Sequence, residues 1–199
     1  MIVKASRITN LTDARYFAAR EVQFLGFNLE PDTPGYLDPM YMKAIREWVQ
    51  GPKITGEFTA TPLETVREAA LFYGLDAVQI AAQSLPNIHI LEDIPTLVRL
   101  QASDAPAQHL HTLRAAKGLY EYLILDFSGT PDIDPAIWRD FFAEFPVLLD
   151  AAAFPDADTL GRYIHLLQPA GIALSGGEEE QVGVKSFDEM EEILDRVGA

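Results

Sequence analysis

The chain has 199 residues, and 15 Lys and Arg against 30 Asp and Glu give a formal net charge of −15 and a pI near 4.5. Nucleic acids and anionic membranes are bound mainly through Lys and Arg, so this charge argues against both as partners. Hydrophobic residues make up 48% of the chain, enough for a buried core, and no apolar run approaches the ~18 residues of a membrane span. The absence of cysteine excludes disulfides, thiolate metal sites and cysteine nucleophiles. We therefore expect a single domain over residues 1–199, cytoplasmic, with a small molecule as its ligand.

Short aliphatic runs alternate with amphipathic stretches along the chain, which is the pattern of βαβ units. The predicted strands are Ile2–Ser6, Val22–Asn28, Lys53–Phe58, Ala77–Ala81, Thr96–Gln101, Tyr122–Phe127, Val147–Asp150 and Gly171–Ser175. The predicted helices are Asp13–Arg20, Pro39–Val49, Leu63–Tyr73, Gln108–Ala116, Pro135–Glu144, Asp156–Leu167 and Phe187–Val197, with SLPNIHILEDI as a weak helix candidate after the fourth strand. Eight units of about 25 residues predict an α/β fold, a (β/α)8 barrel with short loops. An open doubly wound sheet is the alternative, although no terminal segment shows the Lys or Pro of a protected edge strand.

In such a barrel, functional side chains lie where the strands end at their carboxyl termini. The residues at these ends include Ser6, Arg7, Glu30, Asp32, Gln101, Asp126, Asp150 and Ser175. The four histidines, His89, His109, His111 and His165, fall in helices or loops and are expected to be surface or packing residues. Asp126 closes the apolar run YLIL and is the strongest functional candidate, with capping of the next turn as the other interpretation.

Several segments match one family's motifs in chain order. They are Val3–Asn10, Asp13 with Ala14, Gly26 to Tyr36, Leu75–Ile80, Leu123–Asp126, and LSGGEEEQVGVKSF near the end. With them the sequence resembles phosphoribosylanthranilate isomerase, an eight-stranded barrel enzyme of tryptophan biosynthesis. The family motifs in question read V-K-x-C-G-I-T-N, D-A, G-F-x-F-x-P-x-S-x-R-Y, V-Q-L-H-G, L-L-D and V-S-S-G-V-E.

The resemblance implies an intramolecular aldose–ketose isomerase that needs no cofactor and takes a sugar phosphate. In the family's Amadori rearrangement a general acid opens the sugar ring and a general base removes the C2 proton. Carried over, the acid is Asp126 and the base position is Ser6, where the family has cysteine. Serine is a weak base, and no His, Lys or second carboxylate is evident beside it in sequence. Loss of a general base costs about 10²- to 10⁴-fold in rate.

Other departures affect the contacts to the substrate's anionic groups. Arg7 stands for a family glycine, Gly35 for an arginine, Ala81 and Ala82 for His-Gly, and Asp150-Ala151-Ala152 for Ser-Gly-Gly. The loop Ser175, Gly176 and Gly177 keeps the composition that suits an anion. The acids Glu30, Asp32, Asp150 and Glu178 to Glu180 predict an electronegative barrel mouth.

Three residues have two interpretations each. Arg7 is either an anion-binding group or a salt-bridge partner of nearby acids. Gln79 is either a ligand contact or a core amide with its hydrogen bonds satisfied. Asp150 is a substrate contact, or it pairs with Asp126 as an acid–base set or a site for a hard cation, although no metal is our first expectation.

Three functions are consistent with these residues. The first is an isomerase-like barrel with lost or altered activity. The second is an active isomerase with rearranged residues, using Arg7 as anion partner and Asp150 or Ser6 as base. The third is a non-catalytic binding or interaction module, and the oligomeric state stays open.

Overall fold

The computed structural model describes residues 1–102, 107–130, 133–176 and 188–197, with the side chains of 107–109, 189 and 197 excepted. Eight parallel strands form a closed barrel in chain order, and β1 pairs with β8 from Ile2↔Gly171 to Ser6↔Ser175. The strands are β1 Ile2–Ser6, β2 Phe24–Asn28, β3 Lys53–Glu57, β4 Ala77–Ala81, β5 Thr96–Gln101, β6 Tyr122–Asp126, β7 Val147–Asp150 and β8 Gly171–Ser175. The predicted (β/α)8 barrel is confirmed, and the pairing of β1 with β8 excludes an open sheet.

The helices surround the barrel. In the described part of the chain they are α1 Leu11–Ala19, α2 Pro39–Arg46, α3 Leu63–Tyr73, α4 Ala107–Ala115, α5 Pro135–Glu144, α6 Ala157–Leu167 and α7 Asp188–Val197. Asn10, Asp38, Asp134 and Asp156 cap four of them by accepting a hydrogen bond from a first-turn amide. Among the described helices, none is both long enough and apolar enough to cross a membrane.

Two predicted helices differ from the structure by more than two residues at one end or in helix type. α2 ends at Arg46 rather than Val49, and the chain continues in turns with hydrogen bonds between residues three apart, such as Trp48 N to Ile45 O at 3.0 Å. The weak candidate after β4 is a 3₁₀ segment, Ala82–Leu91. Pro86 within it has no backbone N–H to donate, so a regular α-helix is disfavoured there.

The barrel interior changes character along its axis. An apolar cluster separate from the main core fills the end where the strands begin, comprising Phe24, Ala77, Leu97, Ile124, Leu148 and Ala173. Alternate strand residues face the same side, so the next inward positions lie two residues further along. Those positions hold polar or charged residues on five strands, namely Gln79, Arg99, Asp126, Asp150 and Ser175, and Lys4 lies two residues beyond Ile2, which packs against the cluster. The carboxyl end of the barrel is therefore the polar end, where a (β/α)8 protein places its chemistry.

Candidate functional site

An open cavity of about 640 Å³ lies at the carboxyl end of the barrel. Its lining includes Ser6, Arg7, Glu57, Gln79, Arg99 and Asp126. Four of the residues chosen from the sequence are therefore brought together, while Glu57 and Arg99 were not chosen. The histidines with described side chains, His89, His111 and His165, do not line this cavity and are exposed as expected.

A buried ion pair lies directly beside Ser6. Lys4 is fully buried, and its Nζ donates to Ser6 Oγ at 2.6 Å and pairs with Glu57 Oε1. Burial lowers the pKa of Lys4, while the nearby Glu57 carboxylate acts in the opposite direction. The expectation of no lysine or carboxylate beside Ser6 is wrong. Lys4 could have been found from the sequence, because residues two apart on a strand share a face.

Gly26 makes space for this ion pair. It lies on β2, which separates the strands that carry Lys4 and Glu57. A Cβ on Gly26 would overlap Glu57 Oε1 and come within 2.6 Å of Lys4 Nζ. The absence of a side chain at this position therefore lets the two long side chains meet across an intervening strand.

A second charge cluster joins Asp126 and Asp150 through one arginine. Arg99 Nη2 lies 2.6 Å from Asp126 Oδ2 and 2.5 Å from Asp150 Oδ2. The hypothesised cation between the two carboxylates is thus a guanidinium rather than a metal. In the described residues no group of three or more His, Asp and Glu side chains is arranged as a metal site.

This arginine also sets the protonation of Asp126. Burial would raise the pKa of Asp126, but hydrogen bonds from Ser128 and the charge of Arg99 outweigh it and hold the pKa below its ordinary value. The backbone N–H of Ser128 donates to Asp126 Oδ1 at 2.7 Å, so Asp126 caps the turn and lines the cavity at once. The side chain at the acid position is therefore a carboxylate at neutral pH. Arg99 was missed, although a lone arginine inside an apolar strand was a readable signal.

The loop after β7 binds its own carboxylate. Asp150 Oδ1 accepts a hydrogen bond from the N–H of Ala152 at 3.1 Å. Glycine-rich loops offer such amides to anionic ligands, and here an internal anion occupies one of them. A phosphate at this point would have to approach Asp150 itself.

Glu30 occupies a second group of amides. Its carboxylate accepts hydrogen bonds from the N–H groups of Thr59, Ala60 and Thr61 and from the Thr61 hydroxyl, all within 3.1 Å. Burial would raise the pKa of Glu30, and these hydrogen bonds lower it below its ordinary value. Glu30 thus joins the loops after β2 and β3.

The predicted electronegative mouth needs correction. The charges of Glu30 and Asp150 are compensated by hydrogen bonds and by Arg99, respectively. Asp32 is exposed, with a positive φ of 61°. Glu178 to Glu180 lie outside the described residues. The described part of the mouth therefore keeps an excess of acidic side chains, although a smaller one than the sequence predicts.

Arg7 presents a guanidinium at the rim of the cavity. Its Nη2 donates to Ser175 Oγ at 3.1 Å, and its own backbone N–H donates to Glu57 Oε2 at 3.1 Å. Within the described chain Arg7 makes no ion pair, which goes against the interpretation as a salt-bridge partner. Its φ is +53°, a left-handed conformation that favours glycine and costs roughly 1–2 kcal/mol for other residues.

The loop after β8 is described only in part. Ser175 contacts Arg7, and the N–H of Gly176 donates to Ser6 O at 2.9 Å. A Cβ at Gly176 would lie 3.0 Å from Asp13 Oδ2, so the position is crowded. Gly177 lies outside the described residues.

Gln79 is buried and lines the cavity, with 7% of its surface exposed. Its Oε1 has no hydrogen-bond partner within the described residues, so the interpretation as a satisfied core amide is wrong. A buried acceptor left without a donor costs about 1–3 kcal/mol. Gln79 thus lies at the floor of the cavity, while its Oε1 is closed to solvent and has no donor among the described residues.

Comparison with known proteins extends the whole length of the chain. No protein-family model matches it. N-(5'-phosphoribosyl)anthranilate isomerase of Synechococcus sp. (strain JA-3-3Ab) is 30% identical over 212 residues, which cover 99% of this chain and 91% of that protein. The solved isomerase of Thermus thermophilus superimposes with a TM-score of 0.78 at 23% identity, over 100% of this chain and 98% of the other. A further isomerase structure, with a TM-score of 0.76 and 19% identity over 100% and 99% of the chains, is a complex with reduced 1-(o-carboxyphenylamino)-1-deoxyribulose 5-phosphate.

The comparisons agree with the barrel and with the ordered motifs along the sequence. Identity of 30% over nearly all of both chains is enough to define the relationship. The chain therefore belongs to the phosphoribosylanthranilate isomerase family.

Proposed function

We propose that this barrel binds a small polar molecule at its carboxyl-end cavity and no longer catalyses the isomerisation of its relatives. The observation that carries the proposal is the contact between Arg99 and Asp126 at 2.6 Å. Opening a sugar ring by general acid catalysis needs a proton on the acid at working pH. Asp126 has its pKa lowered by Ser128 and Arg99 against the effect of burial, and so holds no proton to give.

The base position and the phosphate loop support the same proposal. Ser6 carries a hydroxyl, a weak base, at the position where the family motif has cysteine. The loop after β7 places the Asp150 carboxylate where a phosphate would approach, and two unit charges 4 Å apart repel by about 1 kcal/mol even in water. The acid, the base and the contact to the phosphate thus all differ from those of the family.

The proposed ligand contacts lie in the cavity and in the loop after β8. We assign Arg7, Gln79, Ser175 and Gly176 to ligand binding, with Asp150 acting through Arg99. Gly177 belongs to the same loop by sequence and stays a prediction. Such a set suits a small molecule with hydroxyl or amino groups and one acceptor that Arg7 can reach.

The direct test follows the fluorescence of enzymatically generated phosphoribosylanthranilate with the purified protein, with the Thermus thermophilus isomerase as positive control. Wild-type protein is expected to give no decay above a buffer control. A gain of turnover in Ser6→Cys would locate the loss at the base position. Decay with the wild type that disappears in Asp126→Asn would overturn the proposal.

That last outcome would establish the second candidate, an active isomerase with rearranged residues. The specific observation in its favour is the 2.6 Å contact between Lys4 Nζ and Ser6 Oγ, which places an amine within reach of the base position. The same assay on Lys4→Met would then separate a lysine-dependent base from a role of Asp150.

Ligand binding itself is tested by thermal unfolding against a panel of small polyols, amines and hydroxy acids. A ligand at 100 times its Kd stabilises by about 2.7 kcal/mol, which at this chain length raises Tm by roughly 5–10 °C. The shift is expected to shrink in Gln79→Leu, which removes the amide at the floor of the cavity. Silence across the panel, with amine, divalent-ion and protein titrations equally silent, would count against both a ligand-binding and an interaction role.

A further inference from the structure

The side chains of Ser6, Lys4 and Glu57 are joined in this order by hydrogen bonds inside the barrel. Ser6 Oγ lies 2.6 Å from Lys4 Nζ, and the same nitrogen pairs with Glu57 Oε1. The other carboxylate oxygen of Glu57, Oε2, accepts a hydrogen bond from the backbone N–H of Arg7 at 3.1 Å. Ser6 and Glu57, at the two ends of the series, line the cavity, and Lys4 between them is fully buried.

A hydroxyl, an amine and a carboxylate in this order form the arrangement of an activated nucleophile. A hydroxyl becomes nucleophilic when a base within hydrogen-bond reach takes its proton and a third group orients the base. Serine with lysine as the base is one known version of this arrangement. Burial of the lysine favours its neutral form, which is the form able to accept a proton.

At the rim of the cavity, the guanidinium of Arg7 can stabilise the negative charge that develops on the carbonyl oxygen when Ser6 attacks. Arg7 follows Ser6 directly, lines the same cavity, and holds its guanidinium against Ser175 Oγ. Ser175 is the register partner of Ser6 on β8. The left-handed conformation at Arg7 is strained for a residue with a side chain, and retained strain of this kind is typical of functional positions.

We propose that Ser6 is a nucleophile that accepts acyl groups from small uncharged carboxylic esters, with Lys4 as its base, Glu57 as a positioning residue and Arg7 as the donor to the carbonyl oxygen. This goes beyond the proposed function, because it names a reaction rather than a binding event. The net charge of −15 and the carboxylates of Asp126 and Glu30 at the cavity favour an uncharged substrate over an anionic one.

The reaction has two halves. Ser6 Oγ bonds to the acyl carbon while its proton passes to neutral Lys4 Nζ, and the carbonyl oxygen becomes an oxyanion facing Arg7. The bond from carbon to the alkoxy oxygen then breaks, and Lys4 returns the proton to the leaving alcohol. Water repeats the sequence on the acyl-serine and releases a carboxylic acid, so no oxidant or further reactant is needed.

The mechanism makes a pH dependence necessary, because only neutral Lys4 accepts the proton. The charged groups acting on Lys4 are the Glu57 and Asp150 carboxylates, which favour its ammonium form, and Arg99, which disfavours it. We expect the acylation rate to rise with pH through the lysine's titration. Glu57→Gln removes one carboxylate and should move the midpoint of that profile to lower pH, which a purely structural role of Glu57 would not do.

The test uses a fluorophosphonate probe and p-nitrophenyl acetate on the full chain. Mass mapping of the labelled wild type is expected to place the adduct on Ser6, and Ser6→Ala should abolish both the adduct and ester hydrolysis. Lys4→Met should lower the labelling rate by about 100-fold or more. Arg7→Gly, which relieves strain and so should fold, is expected to lower ester hydrolysis by about 10-fold or more. Thr59→Val is the matched control, because it removes another hydroxyl that lines the cavity, keeps the backbone N–H that donates to Glu30, and should keep the label.

Wild-type peptide mapping decides the proposal even where a variant does not fold. An unlabelled Ser6, or ester hydrolysis that persists in folded Ser6→Ala, would overturn it. A labelling rate that does not change with pH would remove Lys4 as the base. Phosphoribosylanthranilate turnover is measured separately, so failure here leaves the proposed function standing and failure there leaves this inference standing.

Discussion

Replacement of Arg99 by methionine removes the charge between two carboxylates while keeping most of the side-chain length. Asp150 has 3% of its side chain exposed and Asp126 has 11%, and among the described residues each forms an ion pair only with Arg99. Removing the shared partner leaves two carboxylates close together in a largely buried site. We expect Arg99→Met to destabilise the fold, with a pH dependence opposite to that of the wild type.

The magnitude follows from the burial of these groups. Breaking a buried ion pair by removing one partner costs about 3–5 kcal/mol. Arg99 is 33% exposed at its side chain, so we expect about 3 kcal/mol at pH 7. Unfolding of a chain this long responds by roughly 2–4 °C in Tm per kcal/mol, which gives a decrease of about 6–12 °C.

The direction with pH follows from the pKa of Asp126. In the wild type burial would raise this pKa, but Ser128 and Arg99 lower it, so the carboxylate adds stability above its unfolded pKa, about 3.9. That contribution is lost as pH falls through the folded pKa. Without Arg99 the two carboxylates repel each other and the pKa of Asp126 rises, so stability is lost as pH rises. The deficit of Arg99→Met should therefore be largest at pH 7 and shrink toward pH 4.

The assay is urea unfolding of wild type and variant between pH 4 and pH 7. Arg67→Met is the matched control, because Arg67 pairs with Asp93, whose side chain is 72% exposed. That control should cost less than about 1 kcal/mol with little change across pH. A loss below about 1 kcal/mol in Arg99→Met, with the pH profile of the wild type, would refute the reasoning.

Three further variants test other contacts by urea unfolding. Gly26→Ala should cost about 2 kcal/mol or more, because its Cβ displaces the buried pair of Lys4 and Glu57; a neutral result would show that the pair can move aside. Glu30→Ala should cost about 1–3 kcal/mol at pH 7, because three amides and one hydroxyl lose their acceptor. Since the pKa of Glu30 is lowered by those hydrogen bonds against burial, the difference should narrow as pH falls below about 4, and a constant difference would contradict this. Arg7→Gly should stabilise the protein by about 1 kcal/mol through relief of the left-handed φ, whereas destabilisation would mean that its side-chain hydrogen bond outweighs the strain.

Much of the fold could be predicted from local patterns. Five strands have the predicted bounds, and β2, β3 and β6 differ only by one or two residues at one end. Aliphatic runs of four to six residues between amphipathic stretches leave few alternatives to a parallel sheet. The α2 end and the 3₁₀ segment after β4 were less readable, because helix ends depend on which residues a turn can pack against the barrel.

Part of the site was also readable. Ser6, Arg7 and Asp126 were chosen at strand ends and Gln79 from the family motif, and all four line one cavity. Lys4 was within reach of the same reasoning through its spacing of two from Ser6. The conformation of Arg7 was not, because a positive φ leaves no mark in the sequence when the residue is not glycine.

The sequence by itself determined the eight strands, the polar carboxyl end and the departures from the family at the catalytic positions. Tertiary structure alone decided which charges meet. Lys4 pairs with Glu57 across 53 positions of sequence, and Arg99 reaches Asp150 across 51. Such partners are set by the stagger of strands in a closed barrel, which depends on all eight strands together and on no local pattern. The same closure gives Glu57, Asp126 and Asp150 cationic partners, and so decides which side chains at the cavity face a ligand.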